Sequence, residues 1–117
     1  MSYQTYRFLH LLGMILLFLS LGGVIIQAKL GGKSGRAMLV AGHGTGLLVV
    51  LVAGFGMLAK GGELGLPGWV IAKLVVWLVL GGITVAIKRK AEAAGMWYTT
   101  VVGLGLVAVV MGVYKPL

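Results

Sequence analysis

Four apolar stretches of about 20 residues, divided by short polar linkers, take up nearly all of this 117-residue chain. A run of that length matches the hydrocarbon thickness of a bilayer and exceeds what a small soluble core can bury. In lipid a spanning segment must satisfy its own backbone polar groups, which leaves helices or a closed barrel. The spans are expected at about 6–27, 38–59, 68–87 and 96–114, with ends uncertain by ~2–4 residues. The expectation is therefore an all-α polytopic membrane protein. Its single domain, 1–117, forms four transmembrane helices in an up-down bundle.

The N-terminal run is longer than the apolar core of a typical signal peptide, and Gln27-Ala28-Lys29 makes a poor cleavage site, so it reads as a retained first span. Pro67 suits the first turn of the third helix, where its missing N–H would have no partner anyway.

The net charge of +8 does not point to nucleic acid, because the cations cluster in short linkers where they meet lipid head groups. Linkers 28–37 and 88–95 hold Lys29, Lys33, Arg36, Lys88, Arg89 and Lys90. The opposite side has Arg7, Lys60 and Lys115. The positive-inside rule then puts both termini outside and those two linkers in the cytoplasm, here of a bacterial inner membrane. Tyr3, Tyr6, Trp69, Trp97, Tyr98 and Tyr114 fall near span ends, as an interfacial aromatic belt does.

Chemistry is limited by what is missing. The chain has no Cys and no Asp, and its two Glu, Glu63 and Glu92, lie in linkers. Disulfides, thiolate metal sites and Cys nucleophiles are excluded, as is carboxylate chemistry inside the membrane. A buried carboxylate is what small four-helix multidrug exporters depend on. Few inward polar groups are expected for a transport path: Ser20, Thr45, Thr84, Thr99 and Thr100.

Three ionisable residues remain within spans: His10, His43 and Lys73. Intramembrane ionisable groups are functional-site candidates by default. His10 and Lys73 each lie ~7 Å inside the outer start of parallel spans, at 1.5 Å per residue. His43 begins a span running the other way. It falls roughly 15 Å from His10 along the membrane normal, too far for one haem iron to take both. Plain structural roles stay open for each: an imidazole bonded to a carbonyl or water for the histidines, and snorkelling to the head groups for Lys73. Trp77, one turn after Lys73, offers either packing or a cation–π contact. The functional reading joins His10 to Lys73. A neutral imidazole is a good axial ligand to haem iron, and an ammonium at similar depth suits a porphyrin propionate. His10 is thus the candidate metal ligand, Lys73 the candidate catalytic group, and His10, Lys73 and His43 the candidate cofactor-binding residues.

The 21 glycines lie mostly inside spans, among them Gly22-Gly23, Gly42, Gly46, Gly54, Gly56, Gly81-Gly82, Gly103, Gly105 and Gly112. Small residues are the usual packing device between membrane helices. Alternatively they make room for a flat cofactor or a partner helix.

The chain resembles the HemJ-type protoporphyrinogen oxidases and the related SirB-like four-helix membrane proteins. The matching pieces are Phe8-Leu9-His10-Leu11-Leu12-Gly13, Gly68-Trp69-Val70-Ile71-Ala72-Lys73-Leu74 and the ending Val113-Tyr114-Lys115-Pro116-Leu117. The SirB-like proteins also have a His near the start of span 2, where His43 stands. The resemblance implies haem b with His10 as axial ligand, Lys73 as a second essential polar group, and oxidation of protoporphyrinogen IX. The chain departs from the HemJ pattern in two places. The family's Pro-Arg and further His are replaced by Leu21-Gly22-Gly23-Val24-Ile25-Ile26-Gln27, and its Tyr-His pair by Leu80-Gly81-Gly82-Ile83-Thr84. Two other expectations stand beside a haem protein acting on a porphyrin or quinone. One is a non-catalytic accessory subunit of a larger membrane complex or homo-oligomer; the other is a small transporter.

Overall fold

A computed structural model describes residues 2–31, 35–60 and 68–114. They form α1 (Tyr3–Leu30), α2 (Arg36–Lys60), α3 (Gly68–Arg89), a 3₁₀ turn (Ala91–Ala93) and α4 (Ala94–Val113). The chain is all-α. Each of the four long helices is long and apolar enough to cross a membrane. They mark a membrane protein, and successive helices run antiparallel.

The helices overrun the apolar spans. The α1 helix starts at Tyr3, where Ser2 accepts from Thr5 N through its side chain, and continues to Leu30. At ~1.5 Å per residue it exceeds a hydrocarbon core of ~30 Å, so it tilts or projects into the head groups. It stops at Gly31, whose φ of 78° is the left-handed cap that a side chain disfavours. The linker before α4 is shorter than 88–95: α3 runs to Arg89, and the single 3₁₀ turn leads straight into α4. Glu63, Pro67, Lys33 and Lys115 lie outside the described residues.

The α1 and α2 helices make the closest pair, and glycine is the reason. A methyl at Gly46 would lie 2.7 Å from Leu17 N, and one at Gly13 would lie 3.0 Å from Val50 N. Methyls at Gly23, Gly42 and Gly56 would overlap Leu39, Ser20 and Tyr6. These contacts step down one helix and up the other in a single antiparallel register. In lipid such close approach, rather than hydrophobic exclusion, supplies the attraction. Gly22, Gly44, Gly82 and Gly103 meet nothing within 4 Å, so the packing role belongs to only part of the glycine set.

Elsewhere larger side chains fill the interior. Leu17, Leu21, Val24 and Ile25 of α1 meet Val76, Leu80, Ile83 and Ile87 of α3. The α4 helix adds Ala94, Val101 and Ala108, a seven-residue stripe that presents one narrow face to the bundle. The α1 and α3 helices touch every other helix, whereas α2 and α4 do not meet. The cross-section is a rhombus with α2 and α4 at its far corners.

The expected inward polar set is corrected. Thr45, Thr99 and Thr100 are exposed on the outside of the bundle. Thr99 and Thr100 donate to Gly95 O and Met96 O, 2.9 and 2.8 Å away, and so satisfy themselves within their own helix. Ser20 is buried at Gly42.

Candidate functional site: a His10–Lys73 cavity

A half-open cavity of about 360 Å³ lies in the half of the bundle where α1 and α3 begin and α2 and α4 end. All four helices line it, and His10 and Lys73 both face it. Its walls are otherwise apolar or aromatic, with Met14, Leu51, Phe55 and Leu74 among them. Tyr3 and Trp69 stand near the helix starts, and Trp77 and Leu80 end it toward the bundle centre. Such a volume lies in the range of small-molecule sites, which combine apolar walls with a few placed polar groups.

His10 is 6% exposed, deep for an imidazole. Its Nδ1 lies 2.9 Å from Val50 O on α2. A carbonyl only accepts, so Nδ1–H donates. In the neutral ring, the lone pair then sits on Nε2. That atom is buried and has no hydrogen-bond partner among the described residues. Buried polar atoms are normally satisfied, so an orphaned ring nitrogen is an exception that asks for a partner. The ring lies over Gly54, where a methyl would come within 3.3 Å of Cε1 and 3.4 Å of Nδ1.

Lys73 reaches the same cavity from α3. Its Nζ lies beside Gly112 of α4, where a methyl would be 3.5 Å away. The depth match follows from the carbonyls of α2. Trp77 Nε1 donates to Leu47 O at 2.9 Å, and His43 Nε2 donates to Leu80 O at 3.0 Å. Continuing that antiparallel register sets Lys73 opposite α2 near Leu51, one residue from the carbonyl that holds His10.

His43 is not brought to this site. It is buried, does not line the cavity, and ties α2 to α3 through the Leu80 carbonyl. Along α2 it stands 7 residues before Val50 and 11 before Gly54, roughly 10–16 Å at 1.5 Å per residue. No group of three or more His, Cys, Asp or Glu able to hold a metal ion occurs among the described residues. Trp77 takes part in the cavity wall and in the α2–α3 bond to Leu47.

The sequence does not reveal the Val50 carbonyl or the partners of Gly54 and Gly112. Backbone acceptors have no residue signature. The glycines would have stood out only once the α1–α2 register was known. Comparison with known proteins returns no family model, curated protein or solved structure that matches the chain.

Proposed function

We propose that the chain is a small membrane protein that binds haem b in this cavity, with His10 as the axial ligand and Lys73 as the partner of a propionate. The observation that carries the reading is the state of the His10 ring. A metal-ligating histidine almost always donates its second ring N–H to a carbonyl or carboxylate, which fixes the tautomer and raises the basicity of the ligating nitrogen. His10 has that arrangement: Nδ1–H on Val50 O, and a buried, unpartnered Nε2. Lys73 supplies a positive charge to the cavity wall. A propionate there would gain a charge-assisted hydrogen bond and avoid standing as a lone anion. Apolar and aromatic walls suit the faces of a macrocycle.

Bound haem would supply one-electron chemistry at its iron, the class that a porphyrin or quinone substrate calls for. The chain's own part would be to hold the His10 proton on Nδ1 through Val50 O, leaving the lone pair on Nε2, and to hold a cation at the same depth. In the membrane we place both termini outside, with Lys29, Arg36, Lys88, Arg89 and Lys90 on the cytoplasmic face of a bacterial inner membrane.

The test is a visible spectrum of the purified protein, oxidised and reduced. Expected is a haem b spectrum, present on isolation or after adding haemin, and lost in His10→Ala. A colourless protein that takes up no haemin, with His10→Ala behaving the same, removes the reading.

A further inference from the structure

We infer that Gly54 is a positioning residue for His10: its missing side chain uncovers the Val50 carbonyl and thereby fixes which ring nitrogen carries the proton. The two α2 residues are four apart, so they lie one above the other on the same face. In a helix each side chain leans toward the N-terminus and covers the turn before its own Cα. A side chain at position 54 would lean over the turn that contains the Val50 carbonyl, where the His10 ring now sits. The carbonyl has a second lone pair beyond the one used in its own helix, and Nδ1–H takes it at 2.9 Å. A methyl at 54 would meet Cε1 at 3.3 Å, tighter than ordinary contact, and Nδ1 at 3.4 Å, at its edge. The ring would have to give by a few tenths of an ångström, at the expense of its geometry to Val50 O. Without that acceptor nothing holds the proton on Nδ1, and Nε2 no longer carries the lone pair alone.

The two histidines provide an internal contrast. His10 donates through Nδ1, whereas His43 donates through Nε2 to Leu80 O. One molecule therefore holds both tautomers, each set by a carbonyl on a neighbouring helix. The tautomer claim stands on this geometry alone. Its consequence for iron ligation rests on the haem reading.

The experiment is ¹⁵N NMR of the haem-free full chain labelled at its two histidines, assigned with His10→Ala and His43→Ala. In the wild type, His10 is expected to show protonated Nδ1 and bare Nε2, and His43 the reverse. Gly54→Ala is expected to lose the bare-Nε2 signal of His10 while His43 is unchanged. Gly44→Ala, whose methyl meets nothing within 4 Å on the same helix, should leave the His10 pattern in place. If Gly54→Ala also loses the His43 signature, and so the fold, adding His10→Ala should restore it by removing the ring that the methyl meets. The inference is overturned by any of four results: a wild-type His10 protonated on Nε2, an unchanged His10 pattern in Gly54→Ala, the same change in Gly44→Ala, or no rescue by the double variant. Parallel haemin titration separates the two claims. No uptake by the wild type, with the tautomer shift present, removes the haem reading and leaves Gly54 its role. Uptake with no tautomer shift does the opposite.

Discussion

His10 and Lys73 face one cavity from parallel helices, and the α2 backbone sets their common level. Val50 O holds the imidazole directly, while the Trp77–Leu47 and His43–Leu80 bonds fix the register that brings the ammonium to the same height. On the haem reading proposed above, the imidazole would meet the iron and the ammonium a propionate.

Removing the cation tests half of that reading. Lys73→Met should leave axial ligation intact and weaken haemin binding roughly tenfold to hundredfold, the span expected for one hydrogen bond to a charged group. Lys73→Arg should retain part of the affinity. Titration of the Soret band measures both, and equal affinity for all three proteins would exclude an ion pair with the ligand.

His43 should behave as a structural link. His43→Ala is expected to lower stability by about 0.6–1.7 kcal/mol, as for side-chain hydrogen bonds between membrane helices. Any haem spectrum should keep its band positions. Unfolding in a graded detergent series, with the spectrum recorded alongside, distinguishes this from ligation. Shifted bands in the oxidised protein would make His43 a ligand after all.

The α1–α2 contact should depend on some glycines and ignore others. Gly46→Ala places a methyl 2.7 Å from Leu17 N and should cost about 1–3 kcal/mol through overpacking. Gly44→Ala meets nothing within 4 Å and should be neutral or slightly stabilising. The same unfolding series ranks the two variants against the wild type.

Orientation can be read by thiol labelling, because the chain has no cysteine of its own. In intact cells Thr5→Cys should react with a membrane-impermeant maleimide, and Lys88→Cys should react only after permeabilisation. The reverse pattern would invert the topology.

The architecture was legible because span length and residue composition are dictated by the bilayer, not by tertiary contacts. The helix ends were less so. The α1 helix runs on to Tyr3 and Leu30 because a helix need not stop where the apolar run does. Counting residues from each helix start gave depth for His10, Lys73 and His43, but depth says nothing about direction around the axis. That is why Thr99 and Thr100 were expected inside, yet face outward on their own carbonyls. It is also why His43 had no assignable partner until α3 was in place. The acceptors that fix both histidines are peptide oxygens, which any residue supplies.

The glycine-seated pair α1 and α2 has a consequence for how the site comes into being. A chain made from its N-terminus delivers these two segments to the bilayer first, and everything that holds the imidazole is within them. Half of the site can thus be assembled while the segment bearing the ammonium is still being synthesised. The chamber itself closes only once α3 and then α4 have followed, since all four helices wall it.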